Sequence, residues 1–356
     1  MAGKLVQARV TQRERTLRTP TVAVILPPRL AEALLDDDAR ARLHAAATVV
    51  APAPASSLVA LAELDDTVLA RVEVLLTSWG APRLDASVLA AMPSLQLVAH
   101  AAGTVRQVVT PDVFERGITV TSAAAANAVP VAEFTFAAIV MCCKDVFAAR
   151  DRVRTDRGWR PGSATFDTRP TIGNRSRTIG VIGASMIGRL VIERLRTLDC
   201  TVLVADPYLS VEESRTLGVE KVELDELCAR SDVLTVHAPE LPSTRHMIAA
   251  PQLALLRDGA WVINTARGSL VDTAALEAEL VAGRLQALID TPDPEPLPAD
   301  SVWYDLPNVV LTPHLAGSSG NELGRLGALA VTEIERFAAG LAPLYPVHLR
   351  DLERIA

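Results

Sequence analysis

The sequence is poor in the features that mark secreted, membrane-spanning and nucleic-acid-binding proteins. Its four cysteines have neither zinc-ligand spacing nor the pattern of a disulfide framework, and no signal peptide precedes them. No uncharged apolar run reaches the roughly 18 residues of a membrane span. Lys and Arg form no cluster in a segment that looks folded, and the formal net charge is −7. We therefore expect reduced thiols, a cytoplasmic location and small-molecule partners, without nucleic acid, membrane or metal.

The first 19 residues carry scattered Lys and Arg residues and little apolar periodicity. A basic leader of this kind suits either a targeting peptide or a frayed terminus. The composition favours the frayed terminus, so we expect residues 1–19 to be a disordered leader.

Short apolar runs rich in β-branched residues alternate with helix-like stretches along most of the chain. The runs that we interpret as strands are Val22–Leu26, Val74–Thr77, Leu97–His100, Ile118–Thr121, Ile179–Ile182, Val202–Ala205, Val233–His237, Trp261–Asn264, Leu288–Asp290 and Val309–Thr312. Strands that alternate with helices predict an α/β protein with parallel sheets. These strands are too many for one comfortable sheet, so we expect two domains.

Three segments outline the organisation of these domains. Residues 127–149 read as one long apolar helix, of the kind that is buried between layers, and we expect it to link the domains. Residues 150–177 are rich in Arg, Gly, Thr and Pro, which predicts an extended arm or long loop. Residues 321–337 have a helical pattern, and we expect this helix to return to the first domain.

The segment Ile179–Gly188, IGVIGASMIG, has the strand-turn-helix pattern of a dinucleotide site. Gly183 and Gly188 occupy the first and third glycine positions of that fingerprint, and Ser185 replaces the second. Asp206 ends the next strand, about 20 residues after the turn, where an acid binds the ribose diol. An acid there also repels a 2′-phosphate, and no Lys or Arg follows it in Asp-Pro-Tyr. The sequence therefore favours NAD over NADP.

The serine in the turn modifies this expectation. Its side chain stands between the turn and the pyrophosphate, whereas its hydroxyl can donate a hydrogen bond to a phosphate oxygen. A helix that begins near Met186 would still present free N–H groups. We expect NADH to bind less tightly than it would to a glycine version.

Three later segments place polar residues where strands end, which is where open α/β sheets bind ligands. They are residues 264–268 (NTARG), 290–298 (DTPDPEPLP) and 312–317 (TPHLAG). Reduction of a 2-keto acid needs a proton donor at the carbonyl oxygen and a cation for the carboxylate. Arg267 can supply the cation, His314 the proton, and Glu295 can orient the imidazole. Each alone could be an ordinary structural or surface residue, but their order behind a dinucleotide turn favours one site, and we expect the three to converge on one cleft.

These motifs together resemble the D-isomer-specific 2-hydroxyacid dehydrogenase family. The resemblance covers about residues 70–320, and it includes Asn127-Ala128 with Val131-Ala132-Glu133, SDVLTVHAPELPSTRHMI, WVINTARGSLVD and LPNVVLTPHLAG. It implies a flavodoxin-like substrate domain, residues 20–126 and 319–356, into which a Rossmann-type doubly wound NAD-binding domain, residues 127–318, is inserted. It also implies a homodimer whose arm corresponds to residues 150–177.

The resemblance further implies roles for individual residues. Arg267 would bind the substrate, His314 would be the acid or base, and Glu295 would be its partner. Asp206 would bind the adenosine ribose and Asp290 the carboxamide. The other cofactor-binding candidates lie in the turn and in the loops after later strands: Gly183, Ser185, Met186, Ile187, His237, Ala238, Thr265, Ala266 and Gly317. We interpret the His237 imidazole as a structural hydrogen-bonding group rather than a catalytic one.

The candidate substrate-binding loop is His100–Arg106, which lacks the second glycine and the acidic or amide residue of most relatives. Backbone N–H groups of Gly103, Thr104 and the next residue could bind a carboxylate, and Trp79 or Arg106 could face the substrate, although Arg106 suits the surface equally well. Formate, phosphite or phosphoglycerate oxidation and an NAD-sensing, corepressor-like binding protein remain alternatives. The formate type pairs its histidine with Gln, against which Glu295 argues.

Overall fold

The computed structural model describes residues 18–50, 66–158 and 169–352. Among these residues, those up to Ala123 together with Leu323–Leu352 form one compact unit, here called unit 1. The residues of Ala124–Glu322 form unit 2. The boundaries expected at residues 126 and 319 lie a few residues from these divisions.

Unit 1 contains a six-stranded sheet in its described part. The strands are β1 (Thr21–Ile25), β2 (Thr48–Val49), β3 (Val74–Thr77), β4 (Leu97–His100), β5 (Thr119–Ser122) and β13 (Pro346–Val347). Their spatial order is β13-β5-β4-β3-β1-β2, with β13 antiparallel to β5 and the other pairs parallel. The parallel strands therefore follow the flavodoxin-like order 2-1-3-4-5.

Helices cover this sheet because its central strands are apolar on both faces. Every residue of β3 and β4 is buried, which is typical of a parallel sheet covered on both sides. The helices are α1 (Pro28–Leu34), α2 (Asp37–Ala46), α3 (Asp66–Leu69), α4 (Ala86–Ala90), α5 (Pro111–Glu115) and the C-terminal α13 (Leu323–Ala338). The predicted returning helix is thus present, and it buries one apolar face in unit 1.

Unit 2 contains a seven-stranded parallel sheet in its described part. The strands are β6 (Arg177–Ile182), β7 (Cys200–Ala205), β8 (Glu220–Lys221), β9 (Val233–Val236), β10 (Trp261–Asn264), β11 (Gln286–Ile289) and β12 (Val309–Leu311). Their order is β12-β11-β10-β9-β6-β7-β8, so the winding reverses between β6 and β9. This is the Rossmann order, in which a dinucleotide binds at the carboxyl edge beside the reversal.

The helices of unit 2 connect these strands. They are α6 (Ala124–Cys143), α7 (Val146–Asp156), α8 (Met186–Leu195), α9 (Val211–Leu217), α10 (Leu224–Arg230), α11 (Ala250–Leu255) and α12 (Thr273–Val281). Two buried clusters of mostly aliphatic side chains lie within the unit. The predicted α/β fold with a Rossmann-type and a flavodoxin-like part is confirmed.

The prediction of one long helix over residues 127–149 is wrong, because the chain breaks between α6 and α7. Asp145 has a left-handed backbone with φ 54°, which ends the helical geometry, and its carboxylate lies 2.9 Å from the Arg169 guanidinium. The predicted arm is wrong over residues 150–156, which belong to α7, and Arg177 already begins β6. Residues 159–168 of that arm lie outside the described residues.

Helix α6 is the one described helix that is long and apolar enough to cross a membrane. Half of its most apolar stretch is nevertheless buried within the fold, and residues such as Ala132 and Ile139 belong to a core cluster of unit 2. Such a helix is ordinary in the core of an α/β unit, and we assign α6 to that core.

Every predicted strand is present, with ends that differ by at most two residues. Strands β2, β8 and β13 were not predicted. Residues 1–17 of the expected leader lie outside the described residues. The Arg18 side chain bonds Glu73 and lies over the Phe337 ring, and its N–H donates to the Ala338 carbonyl, so the prediction of a disordered leader is wrong at this residue.

Candidate active site

The turn between β6 and α8 packs directly against the loop after β9. Gly183 has φ +91°, and a Cβ on it would lie 2.8 Å from the Ala238 backbone nitrogen. A Cβ on Gly188 would lie 2.0 Å from the Gly183 carbonyl oxygen. Both positions therefore require glycine, since a side chain at either would meet backbone that cannot move aside.

The turn does not require glycine at position 185, where this chain has serine. Its φ of −63° suits any L-residue, and it is the N-cap of α8, with Oγ accepting from the Gly188 N–H at 3.3 Å. Because the hydroxyl accepts this bond, its own hydrogen stays available for a phosphate oxygen. The helix begins at Met186, as predicted, and the N–H groups of its first turn have no intrahelical acceptors.

Asp206 ties this turn to the loop after β7. One carboxylate oxygen accepts from the Ala184 N–H at 2.6 Å, and the other accepts from the Tyr208 N–H at 2.7 Å. A carboxylate has about four acceptor positions, so each oxygen keeps capacity for a ribose hydroxyl. The half-buried Asp206, the close glycine packing and the helix start together fit a dinucleotide.

His237 lies beneath the turn rather than on its surface. The residue is 3% exposed, and its Nε2 lies 3.0 Å from Thr235 Oγ1, while Nδ1 has no partner within the described residues. Burial lowers the pKa of this imidazole to about 3, so the ring is neutral at ordinary pH. The ring supports the turn, and the neighbouring Ala238 brings its backbone to the carboxyl edge of the sheet.

The loop after β10 is shaped by Asn264, to which sequence reasoning had given no role. Its side-chain amide donates to the Arg267 carbonyl at 2.7 Å, and its side-chain oxygen accepts from the Ala266 N–H at 3.0 Å. Thr265 points inward, since its hydroxyl lies 2.8 Å from that of Thr135 on α6. Thr265 can therefore offer a cofactor its backbone but not its side chain. The signal available in the sequence was a polar residue, Asn264, at the end of an otherwise apolar strand.

Asp290 is fully buried and organises the loop that carries the candidate catalytic histidine. One carboxylate oxygen accepts from Thr312 Oγ1 at 2.5 Å and from the Leu315 N–H at 2.9 Å, and the other accepts from the Ala316 N–H at 3.0 Å. These three bonds leave the carboxylate about one further acceptor position, which the carboxamide contact implied by the resemblance would use. Gly317, next in the loop, lies against the side chain of Asn127 on α6.

His314 and Glu295 form a hydrogen-bonded pair. His314 Nδ1 lies 2.7 Å from Glu295 Oε1, and each side chain is 45% exposed. His314 has φ 51°, an uncommon conformation held by its N–H, which donates to the Asp290 and Thr312 carbonyls. The bond occupies Nδ1, so Nε2 is the nitrogen that can face a ligand.

The chain segment of Arg267 adjoins the segment of Glu295. A Cβ on Gly268 would lie 2.3 Å from the carbonyl of Pro292, so the two loops are in backbone contact. Arg267 is partly buried, and its guanidinium donates to the Ala266 carbonyl at 2.6 Å. The loops of the three candidate catalytic residues thus meet at one edge of the unit 2 sheet.

In unit 1, the candidate substrate-binding residues occupy adjacent strand ends. Trp79 is 39% exposed and follows β3, while Gly103 and Thr104 are half-buried after β4. The two loops are joined by the Ser78 hydroxyl, which donates to the Ala101 carbonyl at 2.8 Å. Arg106 donates to the Leu352 carbonyl, which ties it to the C-terminal segment of the same unit.

His100 lies beneath this loop, and the sequence predicted no role for it. Its Nδ1 is 2.9 Å from Thr77 Oγ1, and burial lowers its pKa to about 4. Within the described residues, no group of three or more His, Cys, Asp or Glu side chains is placed to hold a metal ion.

Comparison with known proteins agrees with this geometry, which defines a dinucleotide-binding α/β protein with a histidine–carboxylate pair. The family model described as "D-isomer specific 2-hydroxyacid dehydrogenase, NAD binding domain" matches residues 136–316. The chain therefore belongs to the D-isomer-specific 2-hydroxyacid dehydrogenase family, and it contains that family's NAD-binding domain.

Two relatives illustrate the range of the family. A D-3-phosphoglycerate dehydrogenase of Archaeoglobus fulgidus is 34% identical over 272 residues, 76% of this chain and 50% of that protein. A glyoxylate reductase of Thermofilum pendens is 30% identical over 284 residues, 77% of this chain and 82% of that protein. The chain thus spans about half the length of the phosphoglycerate dehydrogenases that it matches.

Solved structures show the same fold. A phosphoglycerate oxidoreductase from Rhizobium etli has a TM-score of 0.76 at 25% identity, covering 92% of this chain and 98% of that one. The apo D-mandelate dehydrogenase of Rhodotorula graminis has a TM-score of 0.79 at 23% identity, covering 92% and 97%. At that identity, the second likeness concerns the fold alone.

Proposed function

We propose that this protein is an NAD-dependent oxidoreductase that transfers a hydride between nicotinamide and C2 of a small 2-hydroxy or 2-keto acid. The observation that carries the proposal is the 2.7 Å bond between His314 and Glu295, at the sheet edge where the dinucleotide turn and the Arg267 loop also end. Family membership and the relatives' activities support it.

In the direction of reduction, His314 Nε2 donates a proton to the carbonyl oxygen of the keto acid. Glu295 holds the ring through Nδ1 and stabilises the positive charge that the ring carries before the transfer. NADH, when bound, would supply the hydride that C2 receives. In the oxidation of a hydroxy acid, the same nitrogen accepts the hydroxyl proton.

Arg267 binds the substrate carboxylate, because a planar guanidinium matches two carboxylate oxygens. Asp206 would hold the adenosine ribose, and the backbone of Ser185, Met186 and Ile187 would hold the pyrophosphate. Asp290 acts mainly by holding the His314 loop. Trp79, Gly103 and Thr104 are the proposed substrate-binding residues of unit 1. Unit 1 is the substrate domain in this proposal, and unit 2 is the NAD-binding domain.

The proposal also covers the location, the oligomeric state and the partners of the enzyme. Four free cysteines agree with a reducing, cytoplasmic location. A homodimer is proposed from the family resemblance. Small-molecule acids are the proposed partners, with no role for nucleic acid or a membrane.

Steady-state oxidation of NADH with glyoxylate, hydroxypyruvate, pyruvate and branched 2-keto acids tests the proposal, together with NAD reduction by 3-phosphoglycerate. We expect turnover with at least one member of this panel. Calorimetric NADH binding without turnover on any of them would contradict the proposal and favour the NAD-sensing, corepressor-like alternative.

A further inference from the structure

The peptide of Ala184, in the dinucleotide turn, is held from both sides by charged side chains. Its N–H donates to Asp206 at 2.6 Å, and its carbonyl accepts from Arg189 Nε at 2.9 Å. Arg189 directly follows Gly188, in the first turns of α8. Because both groups bond to one residue, the bonding atoms of Asp206 and Arg189 lie within about 10 Å of each other.

Glu213 holds the other side of the Arg189 guanidinium. Arg189 Nη2 lies 2.9 Å from Glu213 Oε1, and the two side chains are 40% and 45% exposed. Glu213 is fixed in turn by the capping box of α9, since its Oε2 accepts from the Ser210 N–H and hydroxyl at 2.9 Å each. The Ser210 N–H lowers the pKa of this carboxyl, with smaller contributions from the Ser210 hydroxyl and from Arg189.

Asp206 therefore lies at the start of the loop that leads to Ser210, and the Arg189–Glu213 pair lies near the end of that loop. In the proposed function, Asp206 binds the ribose diol of NAD. A 2′-phosphate on that ribose would meet the negative charge of Asp206. Arg189, which bonds the same Ala184 residue as Asp206, has a planar fork that suits phosphate, but Glu213 already engages its Nη2.

We propose that Glu213 is a second determinant of cofactor choice, because it withholds Arg189 from the 2′-phosphate of NADPH. Two acids, Asp206 and Glu213, then reject NADPH, and removing either one leaves the other in place. When Glu213 is neutralised, the Nε bond to Ala184 keeps Arg189 at the turn, while Nη2, the nitrogen that Glu213 holds, becomes available. This inference rests on the proposed use of NAD and on Asp206 as the ribose ligand.

Calorimetric titration of NADH and NADPH tests the proposal on D206S, E213Q and the double variant D206S/E213Q. The amide oxygen of E213Q can still accept from Ser210, which preserves the capping box. We expect the gain in NADPH affinity of the double variant to exceed the product of the single gains by about tenfold, as for residues that act on one group. Adding R189Q should return NADPH affinity to that of D206S.

The matched control is E212Q, which removes the same charge from the neighbouring residue. The structure shows no bond between the Glu212 side chain and Arg189. We expect E212Q to change neither NADPH affinity nor its response to D206S. Single gains that simply multiply, or a gain that survives R189Q, would overturn the inference while leaving the proposed function intact. A wild type that binds neither dinucleotide would overturn the proposed function, and this inference with it.

Discussion

The nucleotide turn and the catalytic loop each contain an aspartate and a histidine, but the histidine is the more buried of the two at the turn and the aspartate is the more buried at the loop. At the turn, the acid Asp206 is half-buried and the histidine His237 is buried, with 3% of its surface exposed. At the catalytic loop, the acid Asp290 is fully buried and the histidine His314 is 45% exposed. All four follow strands of one sheet. Burial, rather than residue type or position after a strand, therefore separates the groups that face a ligand from those that hold the loops.

The largest expected effect concerns the two histidines. His314→Ala should lower kcat by about 10²- to 10⁴-fold, the usual contribution of general acid–base catalysis, and leave the Kd for NADH unchanged. Its stability should also be nearly unchanged, because the side chain is half exposed. Steady-state kinetics and calorimetry on the same preparation measure both. Wild-type kcat in this variant would remove His314 from the mechanism.

The two acids should differ in their contributions to stability. Asp290→Ala leaves three donors without their acceptor in a fully buried site, and we expect a loss of about 3 kcal/mol in the free energy of unfolding. In Asp206→Ala, the N–H groups of Ala184 and Tyr208 can bond to water instead, so we expect a loss of about 1 kcal/mol in the free energy of unfolding. Urea denaturation of both variants gives the comparison. Equal losses would contradict the distinction drawn from burial.

The buried histidine of the turn should make unit 2 sensitive to acid. The pKa of His237 is about 3 in the folded protein and about 6.5 when unfolded, so the unfolded state binds the proton first. Stability is therefore lost as the pH falls below about 6.5, by about 2 kcal/mol at pH 5. His237→Phe should reduce the fall in unfolding free energy between pH 7.5 and 5 by that amount. An undiminished fall would show that His237 is not the group responsible.

Ser185 should have the smallest effect. Ser185→Gly removes both the N-cap bond to Gly188 and the side chain beside the pyrophosphate. We expect tighter NADH binding by about 1 kcal/mol or less, roughly the net worth of one hydrogen bond, measured by calorimetry. A wild type that shows no NADH binding at millimolar concentration would mean that the turn does not hold a dinucleotide.

The sequence predicted the main strands because each is a short, β-branched apolar run. It did not predict β2, β8 and β13, since these two-residue strands form by pairing with a neighbour and carry no pattern of their own. The break at Asp145 was also missed. No Gly or Pro marks it, and the apolar pattern continues beyond it through Val146 and Phe147.

In the candidate site, too, the sequence predicted some features and missed others. Motifs placed Arg267, Glu295 and His314 in order along the chain, and the structure joins His314 to Glu295 directly. The inward turn of Thr265 depends on its partner Thr135, far away in the sequence, so no local pattern could predict it. The network of Arg189 and Glu213 likewise joins two helices through contacts that only the fold creates.

The central claim is that His314 and Glu295 act as one acid–base unit, and a double-mutant cycle in kcat tests it most directly. The four proteins are the wild type, His314→Ala, Glu295→Gln and the double variant, assayed with one 2-keto acid and saturating NADH. We expect Glu295→Gln alone to lower kcat and the double variant to be no slower than His314→Ala, because residues that act as a unit are not additive. Losses that multiply in the double variant would contradict the account.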